Sequence, residues 1–267
     1  MAPLSDRKAR AERLGDYFEL QLRFAAHMAE RLALPFPTAV KRFTNLHRRF
    51  GLGDPNGGDP DHEQQPLWDA YADRLATMPT LAAQRAWTQE FFLTAPPDAL
   101  PADQTFFGCF GCVPPEETGI VRIHFGKRDN DELSPLHRSK IEQRKADLAR
   151  VVAFVNQRYP EATSIKGISW LYNLPAYRWL FPPDYAASVA PVKAVRLNGM
   201  SSWGQVLKND ETIKPELRNA LLGNLPAMDI AAPWRSFPLP VMTAQAPLAA
   251  FSAFYRGHNV DELPAQL

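Results

Sequence analysis

Apolar residues recur with a helical period through the N-terminal part of the chain. Between residues 16 and 34, apolar side chains such as Phe18, Leu22 and Ala25 follow one another at steps of three and four, which predicts an amphipathic helix that buries one face. The same period predicts three more helices, over residues 38–50, 67–78 and 80–94. We therefore expect a helical N-terminal portion.

The hydrophobic period becomes that of a β-strand in the segment IVRIHF, residues 120–125. Val121 and Ile123 are expected to face a core. Arg122 and His124 alternate with them and are expected to point to the opposite side of a sheet. Two further strands are predicted over residues 164–172 and 192–198.

Helical patterns separate the predicted strands. They cover residues 134–159, 175–180, 214–225 and 247–255, and residues 234–243 are expected to be extended. Strands that alternate with helices build a sheet that is covered by helices. The fold class is therefore predicted as α+β, or α/β, with a helical N-terminal portion of residues 1–100 packed on a mixed sheet of residues 101–267 in one compact unit.

Composition and charge narrow the classes of function. The 267 residues are 45% hydrophobic and 22% charged, which is the profile of a globular protein. The 30 Lys and Arg residues nearly balance the 29 Asp and Glu residues, so no overall field favours nucleic acid or an anionic membrane. The N-terminal segment lacks the apolar core of a signal peptide, and no apolar run reaches the length of a membrane span. We expect a cytoplasmic protein with a small-molecule substrate and no nucleic-acid or membrane partner.

The two cysteines, Cys109 and Cys112, form a C-x-x-C sequence. A zinc site completed by two histidines would need these about three to five residues apart, whereas His124 and His137 are much farther apart in the chain. A thioredoxin-like redox pair would open a helix, whereas this pair precedes the turn-like segment VPPEETG. We expect the pair to fill a packed corner, and we assign no metal site.

Polar residues on the predicted strands indicate where a site would lie. If the three strands are neighbours, the polar residues on the side away from the core are Arg122, His124, Ser169, Arg196 and Asn198. Such a cluster requires water or an anionic ligand, because buried charges without partners are costly. The alternative interpretation is the solvated face of an antiparallel sheet.

The loop GKRDNDELSPLHR, which follows the first strand, is the most polar stretch of the chain. Asp129, Asp131 and Glu132 could supply a general base or the oxygen ligands of a hard metal ion. We interpret His124 as a proton-transfer group and Asp129 as its helper. The alternative is a solvated loop that caps the next helix.

Aromatic residues follow the second predicted strand. The aromatic residues from Trp170 to Tyr185, together with Trp203, could line an apolar pocket, and an aromatic core is the other interpretation. Tyr172 and Asn173 lie at a strand end, where loops often present functional groups, and are interpreted as substrate contacts. The basic run at residues 41–49 could meet a phosphate or carboxylate, or form a solvated face with packed Arg stems.

In residues 119–207, a strand and a helix lead to Ser169-Trp170-Leu171, then to Pro182-Pro183 and another strand. This order of features resembles the GNAT-like C-terminal domain of certain bacterial acyltransferases that also carry a helical N-terminal domain. The resemblance implies a GNAT-like mixed sheet and acyl-CoA as a cofactor. The chain contains no Q/R-x-x-G-x-G/A loop, the turn whose amides would hold the coenzyme A pyrophosphate, so the cofactor stays unassigned.

These features predict a GNAT-like acyltransferase, or a divergent relative, that acts on a small polar metabolite. An acyl transfer needs a base for the attacking amine or hydroxyl and donors for the oxyanion. The predicted catalytic residues are His124 and Asp129, and the predicted substrate contacts are Arg122, Tyr172, Asn173, Arg196 and Asn198. The alternative is a non-catalytic module that binds a ligand or a protein through the same polar sheet face. A third hypothesis is a metal-dependent enzyme that uses the carboxylates of residues 129–132.

Overall fold

The computed structural model describes residues 4–53, 63–96, 104–115, 117–126, 128–129 and 133–256. The fold is α+β, as the sequence predicts. The chain forms two compact units, a helical unit of residues 1–101 and 194–240 and a sheet unit of residues 102–193 and 241–267. This differs from the expected division at residue 100, because residues 194–240 return to the helical unit.

The secondary-structure elements alternate along the chain. The helices are α1 (Leu4–Arg13), α2 (Gly15–Leu32), α3 (Phe36–Phe43), α4 (Leu46–Arg49), α5 (Gln65–Ala76), α6 (Leu81–Thr94), α7 (Ile141–Arg158), α8 (Pro175–Arg178), α9 (Pro183–Ala187), α10 (Met200–Trp203), α11 (Pro215–Asn224) and α12 (Leu248–Phe254). The strands are β1 (Thr105–Phe107), β2 (Phe110–Cys112), β3 (Ile120–Phe125), β4 (Ser164–Ser169), β5 (Ala190–Pro191) and β6 (Met242–Pro247). No helix in the described ranges is long and apolar enough to cross a membrane.

The helical unit is built around α2, most of whose apolar side chains are buried. Phe18, Leu22 and Ala25 belong to one hydrophobic cluster together with apolar residues of α3, α5, α6 and α11. The helix ends where Ala33 adopts the left-handed conformation, with φ 52°, and donates its N–H to carbonyls of the last turn. The predicted helices over residues 67–78 and 80–94 correspond to α5 and α6.

The single helix predicted over residues 38–50 is wrong, because the chain breaks between α3 and α4. Thr44 is extended, and its hydroxyl donates to the carbonyl of Val40 at 2.6 Å. The Asn45 N–H donates to Oε1 of Gln21 at 2.8 Å. The apolar pattern does not show this break, because the break involves a hydrogen bond to a side chain of another helix.

Six strands form one mixed sheet in the order β1-β2-β3-β4-β6-β5. β3 and β4 are parallel and are joined through α7, whereas the other neighbouring pairs are antiparallel. In the parallel register, Val121 lies beside Ile165 and Ile123 lies beside Gly167. A β-α-β unit therefore occupies the centre of the sheet.

The alternation predicted for residues 120–125 is confirmed. Val121 and Ile123 are buried in a second hydrophobic cluster, which contains apolar residues of α7, α9 and α12. Arg122 and His124 are exposed on the opposite side. We call the first side the packed face (Val121, Ile123, Ile165, Gly167 and Ala244) and the second the polar face (Arg122, His124, Lys166 and Gln245).

The third strand predicted over residues 192–198 is wrong. β5 contains only Ala190 and Pro191, which pair with Thr243 and Met242 of β6. The chain leaves the sheet after this short pairing. Leu197 is buried in the hydrophobic cluster of the helical unit, so the apolar alternation of this segment serves a helical core.

Two other strand boundaries also differ from the prediction. The extended segment expected over residues 234–243 begins with a 3-10 turn at Pro233–Ser236, and β6 starts only at Met242. Pro238 and Pro240 lack amide hydrogens and therefore cannot donate to a strand ladder. β4 ends at Ser169 and not at residue 172, because the chain turns into the 3-10 helix Trp170–Asn173.

Candidate functional site

The ladder between the parallel strands β3 and β4 is short. Its last pair is Ile123 with Gly167. β3 stays paired with β2 as far as Phe125, and β4 stays paired with β6 as far as Ser169. Beyond Ile123 and Gly167, β3 and β4 therefore no longer pair with each other. Each of them still pairs with its outer neighbour. Ligands of open α/β sheets commonly bind at this end of the strands.

His124 is the first residue of β3 beyond the last parallel pair, and its side chain is exposed on the polar face. It lies beside Gly111 of β2 in the antiparallel register. A Cβ at Gly111 would lie 2.8 Å from the Phe106 ring and 2.9 Å from Nε2 of Gln104, so these two side chains occupy the neighbouring position on this face. A histidine in this position can exchange a proton with a ligand at the strand ends.

Two cations occupy directly paired positions on the polar face. Arg122 of β3 lies beside Lys166 of β4, and Lys166 lies beside Gln245 of β6. The Arg122 side chain is exposed, and that of Lys166 is half-buried. Like charges directly opposite on neighbouring strands repel each other.

The packed face beneath the same strand end is lined by tyrosines. The hydroxyls of Tyr172 and Tyr185 are hydrogen-bonded to each other, and both side chains are buried. Burial holds the pKa of each phenol well above its ordinary value, so both stay neutral. A Cβ at Gly167 would overlap both hydroxyls, which explains why glycine occupies this position. Tyr172, predicted as a substrate contact, therefore supports β4 from the packed side.

The predicted contact Asn173 fixes the turn that follows β4. Its Nδ2 donates to the carbonyl of Trp170 at 2.6 Å. The Ser169 hydroxyl accepts the N–H of Leu171 at 3.1 Å. These two local bonds end the strand and hold its carboxyl end in place.

Asp129, predicted as the helper of His124, is hydrogen-bonded to two cations. Its carboxylate accepts from Lys140 Nζ at 2.7 Å and from the Arg144 guanidinium. Burial acts to raise the pKa of Asp129, but the hydrogen bonds from Lys140 and Arg144 outweigh it and hold the pKa below its usual range. A carboxylate held by two cations is a weak base, so these contacts favour a role in anchoring the loop. Asp131 and Glu132 lie outside the described residues.

The ion pairs continue from Arg144 into the interior. Its guanidinium is fully buried and donates to Asp147, which also accepts from Arg150 and from the Cys109 N–H. Burial raises the pKa of Asp147, while the N–H of Cys109 and the two arginines oppose that rise. The network ties the loop after β3, the helix α7 and the turn between β1 and β2 to one another, which gives it a structural role.

The cysteine pair lies in the same hairpin. Cys109 and Cys112 are both free and buried, and burial raises the pKa of Cys112 to about 12. A thiol of that pKa is unreactive near neutral pH. In the ranges that the structure describes, no group of three or more His, Cys, Asp or Glu residues is placed to hold a metal ion.

Arg196 and Asn198 are not on the sheet. The predicted grouping with Arg122 and His124 assumed a third strand, whereas residues 192–198 form none. Both residues belong to the helical unit, where they line a cavity of about 680 Å³. Two of the predicted substrate contacts are therefore not on the sheet.

The polar face contains two residues that the sequence prediction missed, Lys166 and Gln245. The alternation of residues in SIKGIS places Lys166 and Ile165 on opposite faces of the strand, as the alternation in β3 does for Arg122 and Val121. The position of Gln245 depends on the pairing of β6 with β4, which is not visible locally. No known family model, curated protein or solved structure matches the chain.

Proposed function

We propose that the sheet unit is a GNAT-like acyltransferase, or a divergent relative, which transfers an acyl group from a thioester to an amine or hydroxyl of a small polar metabolite. The observation that carries this proposal is the end of the β3–β4 ladder at Ile123 and Gly167, with His124 directly beyond it. The order of β3, α7 and β4, in which a strand and a helix lead to a second strand, also supports the proposal.

The strand ends suit an extended donor. Where two neighbouring strands stop pairing with each other, an elongated ligand that carries amides can pair with either main chain, as peptides do at sheet edges. The pantetheine arm of an acyl-CoA is such a ligand. Because the chain lacks the glycine-rich phosphate loop, exposed cations would have to contact the phosphates. Arg128, which lies over the Phe106 ring at 4.1 Å, is one candidate.

His124 is proposed as the general base. It would take the proton from the acceptor amine or hydroxyl as that atom attacks the thioester carbonyl carbon. The resulting oxyanion would be stabilised by donors at the strand ends, and it would collapse by expelling the thiolate. Arg122 and Lys166 would hold an anionic group of the substrate. Asp129, Tyr172 and Asn173 would keep the loop and the strand end in place.

The first test is turnover by the full chain, with acetyl-CoA as donor and a panel of amino acids, polyamines and amino sugars as acceptors. Free thiol released by transfer is measured by a chromogenic disulfide. We expect His124→Gln to lower kcat by a factor of about 10² to 10⁴, which is the usual contribution of a general base. The matched control is His137→Gln, because His137 is also an exposed histidine of the sheet unit.

The acyltransferase proposal fails if neither acetyl-CoA binding nor thiol release is detected, or if His124→Gln and His137→Gln retain equal activity. The second candidate is a non-catalytic module that binds a ligand or a protein through the polar face. Its support is Ile168, which is 44% exposed on the same side of β4 as Lys166. A cytoplasmic location belongs to the proposal as well, and the two free, buried cysteines support it.

A further inference from the structure

The cavity of the helical unit has the size of a small-molecule site. Its volume is about 680 Å³, within the range of ligand pockets. The apolar part of its wall comes from the end of α2, from α3 and from the segment before and within the 3-10 turn Pro233–Ser236. Leu32, Phe43 and Trp234 are representative of this apolar wall.

Two guanidinium groups line the same cavity. Arg42 comes from α3 and Arg196 from the segment before α10, and both side chains are exposed. Of the described residues that line the cavity, none is Asp or Glu. The cavity therefore places guanidinium groups beside apolar surface, and guanidinium groups bind carboxylates and phosphates through paired hydrogen bonds.

The segment that carries Arg196 is held by hydrogen bonds from within the helical unit. The Arg48 Nε donates to the Asn198 carbonyl at 2.9 Å. The Trp203 Nε1 donates to the Leu197 carbonyl at 2.8 Å. A wall that is fixed before binding lowers the entropic cost of holding a ligand.

We propose that this cavity binds a small organic anion that has an apolar body and one carboxylate or phosphate group. The anionic group pairs with Arg42 and Arg196, and the side-chain amide of Asn198 offers a further polar contact. The apolar body packs against Phe43 and Trp234. This site lies within the helical unit and does not depend on the acyltransferase proposal, which concerns the sheet unit.

The test uses three probes of similar shape on the full chain: phenylacetate, phenyl phosphate and the neutral phenylacetamide. Isothermal titration measures the dissociation constant of each. We expect at least one of the two anions to bind at least about tenfold more tightly than phenylacetamide, because a hydrogen bond to a charged group contributes roughly that much. The anion that binds more tightly shows whether the site prefers a carboxylate or a phosphate.

Arg42→Gln and Arg196→Gln should each raise the dissociation constant of the preferred anion by at least about tenfold and leave that of phenylacetamide unchanged. Arg42→Lys, which keeps the charge but not the paired hydrogen bonds, should lie between these and the parent chain. The matched control is Arg23→Gln, since Arg23 is an exposed arginine of the same unit that pairs with Glu19. The inference is overturned if neither anion binds, if phenylacetamide binds as tightly as both, or if the cavity variants bind like the control.

Discussion

The two faces of the sheet carry different kinds of residue although they alternate along the same strands. On the packed face, Val121 and Ile165 are almost fully buried beneath helices of the sheet unit. On the polar face, one residue further along each strand, lie Arg122 and Lys166. A shift of a single residue exchanges the two faces, so the register is strongly specified. The packed face should therefore determine stability, and the polar face should determine binding.

The largest expected effect concerns the buried charges on the packed side. Asp147→Ala should lower the free energy of unfolding by about 3 to 5 kcal/mol, because it leaves the buried Arg144 guanidinium without its interior carboxylate. Urea denaturation measures this change. The control is Glu142→Ala on the same helix, whose side chain is 78% exposed and which should change stability by less than about 0.5 kcal/mol. Equal effects of the two substitutions would contradict the structural role of the network.

A pair of alanine substitutions at adjacent positions of β4 compares the two faces directly. Ile165→Ala should cost about 2 to 4 kcal/mol, since it opens a cavity in the packed core. Lys166→Ala, one residue along, should cost less than about 1 kcal/mol. Urea denaturation measures the free energy of unfolding of both variants. If Lys166→Ala were the more destabilising, the assignment of the faces would be wrong.

Adding a methyl group at the packed face gives a smaller effect. Gly167→Ala should destabilise the chain by about 1 to 3 kcal/mol, because the new Cβ would overlap the Tyr172 and Tyr185 hydroxyls. Thermal and urea unfolding both report it. As a control, Gly223→Ala in α11 adds a methyl group where no neighbouring atom lies within 4 Å, and it should be neutral or stabilising. A neutral Gly167→Ala would show that the tyrosines do not pack against the strand.

The smallest effect is a pH dependence at the edge of the polar loop. The pKa of Asp129 is lowered in the folded chain, so its stabilising contribution is complete above the ordinary carboxyl pKa and is lost as the pH falls through the lowered value. The stability difference between the parent chain and Asp129→Asn should therefore be largest near pH 7 and shrink in acid. The raised pKa of Asp147 gives the opposite pH dependence of stability, and it does so in both the parent chain and the Asp129→Asn variant. A difference that stays constant from neutral to acidic pH would contradict the ion pairs of Asp129.

The alternation of apolar and polar residues predicted the polar face correctly at β3 but not in residues 192–198. In residues 121–125, the apolar side chains alternate with Arg122 and His124, and the strand has the predicted bounds. In residues 192–198 a similar alternation exists, but the buried Leu197 belongs to the core of the helical unit. Local periodicity reports that a side chain will be buried, and it does not report which core will bury it.

The candidate site could be predicted only in part for the same reason. His124 and Arg122 follow from one strand, whereas the neighbour of Arg122, Lys166, depends on a long-range parallel pairing. The partners of Asp129 are Lys140 and Arg144, which lie on the next turn and helix. The spacing of these residues along the chain does not determine where His124 lies relative to them. The strand-like pattern of residues 192–198 predicts a place on the sheet for Arg196 and Asn198, whereas both belong to the helical unit.

Hydrogen exchange of the full chain with and without acetyl-CoA tests the central claim most directly. If the ligand pairs with the main chains where the β3–β4 ladder ends, peptides that cover residues 121–126 and 165–171 should exchange more slowly in its presence. Peptides from α2 and α6 serve as the internal reference and should be unchanged. The account is contradicted if the strand-end peptides exchange at the same rate at saturating acetyl-CoA, or if protection is found only in the helical unit.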